Sequence, residues 1–212
     1  AFETFPTFSP DGISLYFCSS KAVSPMPEKY REARYNLCRV DFNPDACTFG
    51  AVVDTLINAA AAGKSVSYPR VSPDGKYLVY ALSDYGNFSI WHKEADLYML
   101  DLENGNVACI DALNSDDVES YHSWSGNSRW LAFSSRRDDG LYTKPYFAYI
   151  DADGMARKAF LLPQKNPRKF YDSQMFSYNI PELVSGEVNY GGNQIASFAN
   201  DADGKKVGYK MK

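Results

Sequence analysis

The chain is short of the residues that usually announce chemistry. Its 212 residues hold only two histidines, His92 and His122. That leaves little room for a histidine-based zinc centre or a Ser-His-Asp machine. Four cysteines stand at positions 18, 38, 47 and 109, none in a Cys-x-x-Cys pair and none placed for haem attachment. Cys18 and Cys38 fall on neighbouring strands of one repeat unit, where a disulfide is conceivable; packed free thiols are the alternative. There is no Gly-x-Ser-x-Gly elbow. No apolar run approaches a membrane span, so none is expected. The formal net charge is −4, which lacks the basic excess of a general nucleic-acid binder. No metal and no cofactor is expected from this inventory.

What the chain has is repetition. Phe5-Pro-Thr-Phe-Ser-Pro-Asp-Gly-Ile-Ser-Leu-Tyr-Phe17 returns as Tyr68-Pro-Arg-Val-Ser-Pro-Asp-Gly-Lys-Tyr-Leu-Val-Tyr80. A worn copy follows as Tyr121-His-Ser-Trp-Ser-Gly-Asn-Ser-Arg-Trp-Leu-Ala-Phe133. Each copy reads as strand, tight turn, strand. In the turn, Pro presets φ, Asp favours the bend and Gly accepts positive φ. A second half also recurs: Leu37 to Asp41, Leu97 to Leu102 and Phe147 to Asp151 are apolar strands that reach an Asp, and a further short strand follows each. The middle strands, such as Leu78-Val-Tyr-Ala81, are apolar on both faces, as strands covered on both sides are. Units of four antiparallel strands that cannot bury their own faces must stack. The expected fold is therefore all-β: propeller blades at about 5–55, 67–111 and 120–163, with an irregular or incomplete fourth unit at 164–212.

Propellers close with about four to eight blades. Three and a part therefore read as a partial propeller, and a start at Ala1-Phe2, inside a repeat, reads as a piece of something longer. Free blade faces would make self-association available. Ile195-Ala-Ser-Phe198 and Lys206-Val-Gly-Tyr209, flanking Asp201-Ala-Asp-Gly204, are expected to form a last hairpin.

The Pro-x-aromatic-Ser-Pro-Asp-Gly phrase, with the apolar strand ending in Asp, resembles the TolB-like β-propeller repeat family, a cousin of the WD-repeat propellers. The likeness covers roughly residues 5 to 163. The run from Asp84-Tyr-Gly-Asn-Phe-Ser-Ile-Trp-His92 to Ser134-Ser-Arg-Arg-Asp-Asp-Gly140 also resembles exported proteins of Bacteroidetes-type bacteria. The resemblance implies a periplasmic or cell-envelope location and a binding scaffold. It supplies no catalytic residues.

In an up-and-down blade, alternate connections share a face. The longer connections (19–36, 54–67, 83–95, 112–120 and 135–146) all fall on one, which marks it as the functional face. It should carry Asp84, Tyr85, Trp91, His92, Tyr121, His122, Arg136, Arg137, Asp138 and Tyr142. Aromatic platforms, paired arginines and acids suit recognition of a carboxylate, a phosphate or a sugar. The bland alternatives are that Arg136 and Arg137 pair with Asp138 and Asp139 to order their own loop, and that His122 is a hydrogen-bonded strand residue. Trp124, in the place of Phe8 and Val71, reads as core.

Two motifs are decoys. Asn58 to Ser65 ends like a phosphate-binding loop but has no βαβ unit around it. Asp151-Ala-Asp-Gly154 lacks the ligands of a calcium loop and reads as a turn. The leading expectation is a non-catalytic scaffold binding a protein or glycan. Two alternatives stay open: part of a propeller glycosidase with Glu119, Asp138 or Asp84 as acids, and the gating propeller of a serine peptidase.

Overall fold

The computed structural model describes residues 1–200. It contains three four-stranded antiparallel sheets. The first holds β1 (Phe2–Phe8), β2 (Ser14–Ser20), β3 (Asn36–Asn43) and β4 (Thr48–Ile57). The second holds β5 (Ser65–Val71), β6 (Tyr77–Ser83), β7 (Asp96–Asp101) and β8 (Val107–Cys109). The third holds β9 (Glu119–Trp124), β10 (Trp130–Ser135), β11 (Lys144–Tyr149) and β12 (Phe160–Leu161). Each strand pairs with its neighbours in sequence, as in propeller blades.

The repeated turn works the same way three times. Asp11 Oδ1 accepts from Ser9 Oγ and from the Ile13 amide at 3.2 Å. Asp74 and Asn127 do the same with Ser72 and Lys76, and with Ser125 and Arg129. In the worn copy Ser128 takes the left-handed place of Gly12 and Gly75, at φ 57°. Its hydroxyl accepts from the Asp74 amide at 2.9 Å, tying the turns of neighbouring blades.

The core lies between blades. Tyr16, Cys18 and Leu37 of the first sheet meet Val66, Leu78, Tyr80 and Leu100 of the second. Val79, Ala81, Leu97 and Met99 of the second meet Trp124, Leu131, Phe133 and Ala148 of the third. β6 is thus buried on both faces, which accounts for its unbroken apolar run. Trp124 is core, and its Nε1 donates to the Arg70 carbonyl at 3.1 Å. In β2, Leu15 and Phe17 face the opposite way from the first core. They line a groove of about 430 Å³ with Val40, Phe49 and Val53. The equivalent Leu78 and Tyr80 are fully covered by the preceding blade.

A bulge recurs in the middle of each innermost strand, between Thr4 and Thr7, Ser67 and Arg70, and opposite Ala132–Ser134. Phe5, Tyr68 and Tyr121 sit there at φ 52°, 53° and 52°, a region that large side chains rarely adopt. Their rings form a row: Phe5 lies 4.2 Å from Tyr68, and Tyr68 lies 4.9 Å edge-on from Tyr121.

The disulfide does not form. Cys18 pairs with Leu37, and Cys38 with Phe17. Directly paired residues share a face and neighbours alternate, so Cys18 and Cys38 point to opposite sides of the sheet. All four cysteines are free thiols, and burial pushes the Cys18 thiol up.

After the third sheet come a short helix α1 (Pro167–Asp172) and a helix α2 (Gly192–Ala199). The strand expected at Ile195–Phe198 is therefore helical, capped where Gln194 Oε1 accepts from the Gly191 amide at 2.9 Å. The rest of that expected hairpin lies outside the described residues. Between the helices, residues 177–181 cross the free side of the third sheet. The Thr143 amide donates to Ser177 Oγ at 3.3 Å, and the Tyr178 amide donates to the Thr143 carbonyl at 3.0 Å. Blades one and two are joined by the same pair of bonds: Tyr35 amide to Ser65 Oγ at 3.0 Å, and Val66 amide to Tyr35 carbonyl at 2.9 Å. In this alignment Ile180-Pro181 stands where Phe5-Pro6 and Tyr68-Pro69 stand. The segment occupies the place of the next innermost strand.

Candidate functional site

The alternating connections put the long loops together, and the structure sorts the expected residues into three groups. Asp84, Tyr85 and His92 lock the loop of the second blade onto the first. Asp84 pairs with Lys64 Nζ at 2.7 Å, which lowers its carboxyl. Tyr85 packs on His92 with ring centroids 3.9 Å apart and meets Tyr30 edge-on at 5.7 Å. His92 is buried; its Nε2 lies 3.0 Å from the Asn87 carbonyl and its Nδ1 3.2 Å from Glu94. Gly86 is pressed against the Tyr35 ring, where a Cβ would collide.

The second group, His122, Arg137 and Asp138, is engaged within the chain, and of these only His122 is fully buried. His122 is 1% exposed, and its Nε2 lies 2.9 Å from the Val79 carbonyl. That bond requires the proton on Nε2; Nδ1 has no partner. Burial drops its pKa to about 4. Arg137 reaches the fully buried Glu119, whose Oε1 lies 2.9 Å from the Arg137 Nη2. Ser115 and Ser135 hydroxyls donate to the same carboxylate at 2.6 and 2.7 Å. Burial still raises the Glu119 carboxyl, outweighing these donors and the Arg137 charge. Arg137 also covers the Tyr146 ring at 4.5 Å. Asp138 accepts from the Tyr146 hydroxyl at 2.7 Å and pairs with Lys144 at 3.3 Å. Asp139 pairs with Lys144 at 3.1 Å. The expected pairing of Arg136 and Arg137 with Asp138 and Asp139 is therefore replaced: Lys144 holds both acids, and Arg137 holds Glu119.

The third group is open. Arg136 lies over the Trp91 ring, its guanidinium carbon 4.6 Å from the centroid. Trp91 is 64% exposed and sits on a single 3-10 turn, Ser89–Trp91, behind Phe88 in the left-handed region. Together with Tyr121 and Leu141 they border a cavity of about 320 Å³, closed on one side by Ser177, Tyr178 and Asn179. Arg136 donates to the Gly140 carbonyl. Among the described residues no carboxylate lies in ion-pair reach of it, and its buried Nε has no partner. Trp91 was expected on this face; Ser177 to Asn179 were not.

The remaining motifs are structural. Residues 58–65 form a 3-10 turn, Ala59–Ala62, ending at Gly63 with φ 70°. Asp151 to Gly154 is a tight turn in which the Gly154 amide donates to the Asp151 carbonyl at 3.1 Å.

No protein-family model and no curated protein matches the chain. Solved structures do. Puromycin hydrolase is similar over 77% of this chain and 22% of its own, with 15% identity and a TM-score of 0.51. TolB from Acinetobacter baumannii is similar over 72% of this chain and 31% of its own, with 20% identity and a TM-score of 0.45. The chain thus spans less than a third of the length of either of these two solved chains. With three stacked four-stranded sheets, the likeness to puromycin hydrolase gives the fold: this is a β-propeller segment, and no membrane-spanning helix occurs among the described residues.

Proposed function

We propose that this segment is a non-catalytic binding scaffold that presents its long-loop face to a protein or glycan partner in the cell envelope. The observation that carries the reading is Arg136, a charged group stacked on an exposed tryptophan at the mouth of a cavity, with no counter-ion among the described residues. Isolated charges are rarely held at a partly buried site unless something pairs with them. The residues around it are packed: Tyr121 meets Tyr68 edge-on in the aromatic row, and Ile90 packs against Ala95 and Val118.

The candidate catalytic groups are committed elsewhere. Both histidines bond to backbone carbonyls, and Glu119 is held by an arginine and two serines. Placement in the envelope rests on the TolB-like repeat phrase.

The test is affinity capture from an envelope extract, with the parent chain and Arg136→Ala compared at matched melting temperature. Capture that falls with the variant supports the reading. Equal capture by both proteins removes Arg136 and its cavity from the binding face.

A further inference from the structure

Building on that binding reading, we propose that the cavity beside Trp91 takes an acidic sugar residue, a hexuronate of a glycan, with its carboxylate on Arg136. Three features of the cavity define the ligand chemistry. The Arg136 guanidinium is planar, unpaired by any described acid and bonded only through Nη2 to Gly140, which leaves donors for a carboxylate in the forked geometry that arginine favours. The neighbouring Arg137 shows the contrast, since Glu119 already occupies it.

The second feature is the platform. Arg136 covers part of the Trp91 ring, yet the side chain remains largely in solvent. An exposed ring beside a cation suits the flat C–H face of a pyranose whose carboxylate reaches the cation. The third is the wall. Its exposed surface is mainly apolar, from Ile90, Trp91, Leu141 and the rings of Tyr121 and Tyr178, with Arg136 and Asn179 as polar groups; the Thr143 and Ser177 hydroxyls are bonded within the chain. Small-ligand pockets are commonly apolar with a few placed polar groups, so the choice of an acidic sugar rests on Arg136 and the exposed Trp91 ring. A volume of about 320 Å³ holds one sugar residue with water, not a folded partner.

The experiment is a fluorescence and calorimetric titration of the folded chain with galacturonate and glucuronate oligomers. Neutral galactose and glucose oligomers, acetate, and a short peptide ending in phenylalanine serve as comparisons. The expected result is saturable binding of the uronate oligomers, about tenfold or more tighter than their neutral counterparts. Arg136→Gln should lose that difference while keeping the parent melting curve. Trp91→Phe should weaken binding of both series and remove the fluorescence change. Equal affinity for neutral and acidic oligomers overturns the role of Arg136. Binding of the peptide but not the uronates overturns the sugar class. If no oligosaccharide binds while envelope capture still depends on Arg136, the acidic-sugar proposal fails and the scaffold reading stands. If capture is also independent of Arg136, both fail.

Discussion

His122 should give the chain an acid-sensitive blade interface. The imidazole is buried between the second and third sheets and donates from Nε2 to the Val79 carbonyl. Burial holds its folded pKa at about 4, against about 6.5 for a free imidazole. Between those values the unfolded chain takes up a proton that the folded chain refuses. Stability therefore falls as pH drops through this window and levels off below it. The gap corresponds to about 3 kcal/mol at most. Glu119 acts in the opposite sense: its raised carboxyl is penalised when ionised, and acidification relieves that penalty. The raised Asp96 carboxyl acts in the same sense as Glu119, so the His122 contribution must be isolated by substitution. His122→Leu should cost roughly 1–3 kcal/mol at neutral pH, through the lost bond to Val79. Between pH 6.5 and 4 it should then lose about 3 kcal/mol less than the parent. Urea unfolding at several pH values, followed by circular dichroism and tryptophan fluorescence together, reads this directly. Parallel profiles for parent and variant would refute the claim that His122 is held neutral by burial.

Two further expectations follow from the packing. Arg137→Met strands the Glu119 carboxylate and should destabilise by about 3–5 kcal/mol at neutral pH, as broken buried pairs do. Adding Glu119→Gln should recover part of the loss, and lowering the pH toward the ordinary carboxylate range should shrink it; a double-mutant cycle by urea unfolding showing no coupling would contradict the buried pair. Gly86→Ala drives a methyl group into the Tyr35 ring and should cost about 1–3 kcal/mol by overpacking, measurable as a lower melting temperature that Tyr35→Ala in the same chain partly offsets.

The blades were legible because their turns carry a mechanism. Ser-Pro-Asp-Gly fixes a hairpin wherever it stands, and the copy without Pro survives because Asn127 repeats the aspartate's hydrogen bonds and Ser128 tolerates the left-handed place. The both-sided burial of β6 followed from its unbroken apolar run. The innermost strand position at 177–181 was not legible. Its Ile180-Pro181 matches Phe5-Pro6 and Tyr68-Pro69, but no turn phrase follows it, and only the bonds to Thr143 reveal the equivalence. The helix at Gly192–Ala199 was hidden for the reverse reason: apolar residues near a turn-like phrase imitate a strand when no partner strand is there to test them.

The grouping of the long loops was legible from their lengths, but their residues were not equal, and Arg136 and Arg137 show why. In sequence they are identical neighbours. In the structure both are half-buried, but Arg137 is paired with the buried Glu119 and Arg136 has no acid partner among the described residues. The register between strands separates them. Ser135 pairs with Glu119 across β10 and β9. Residues two apart in an extended chain share a side, so Arg137 lies on the side of Ser135 and Glu119 while Arg136 turns the other way, onto Trp91. Counting back from the worn repeat to Glu119 would have placed Arg137 on the Glu119 side from sequence alone. It would also have left Arg136 as the arginine free to meet a ligand. Replacing both together therefore confounds folding with recognition, whereas Arg136→Ala alone keeps the Glu119 network intact and reads the face itself.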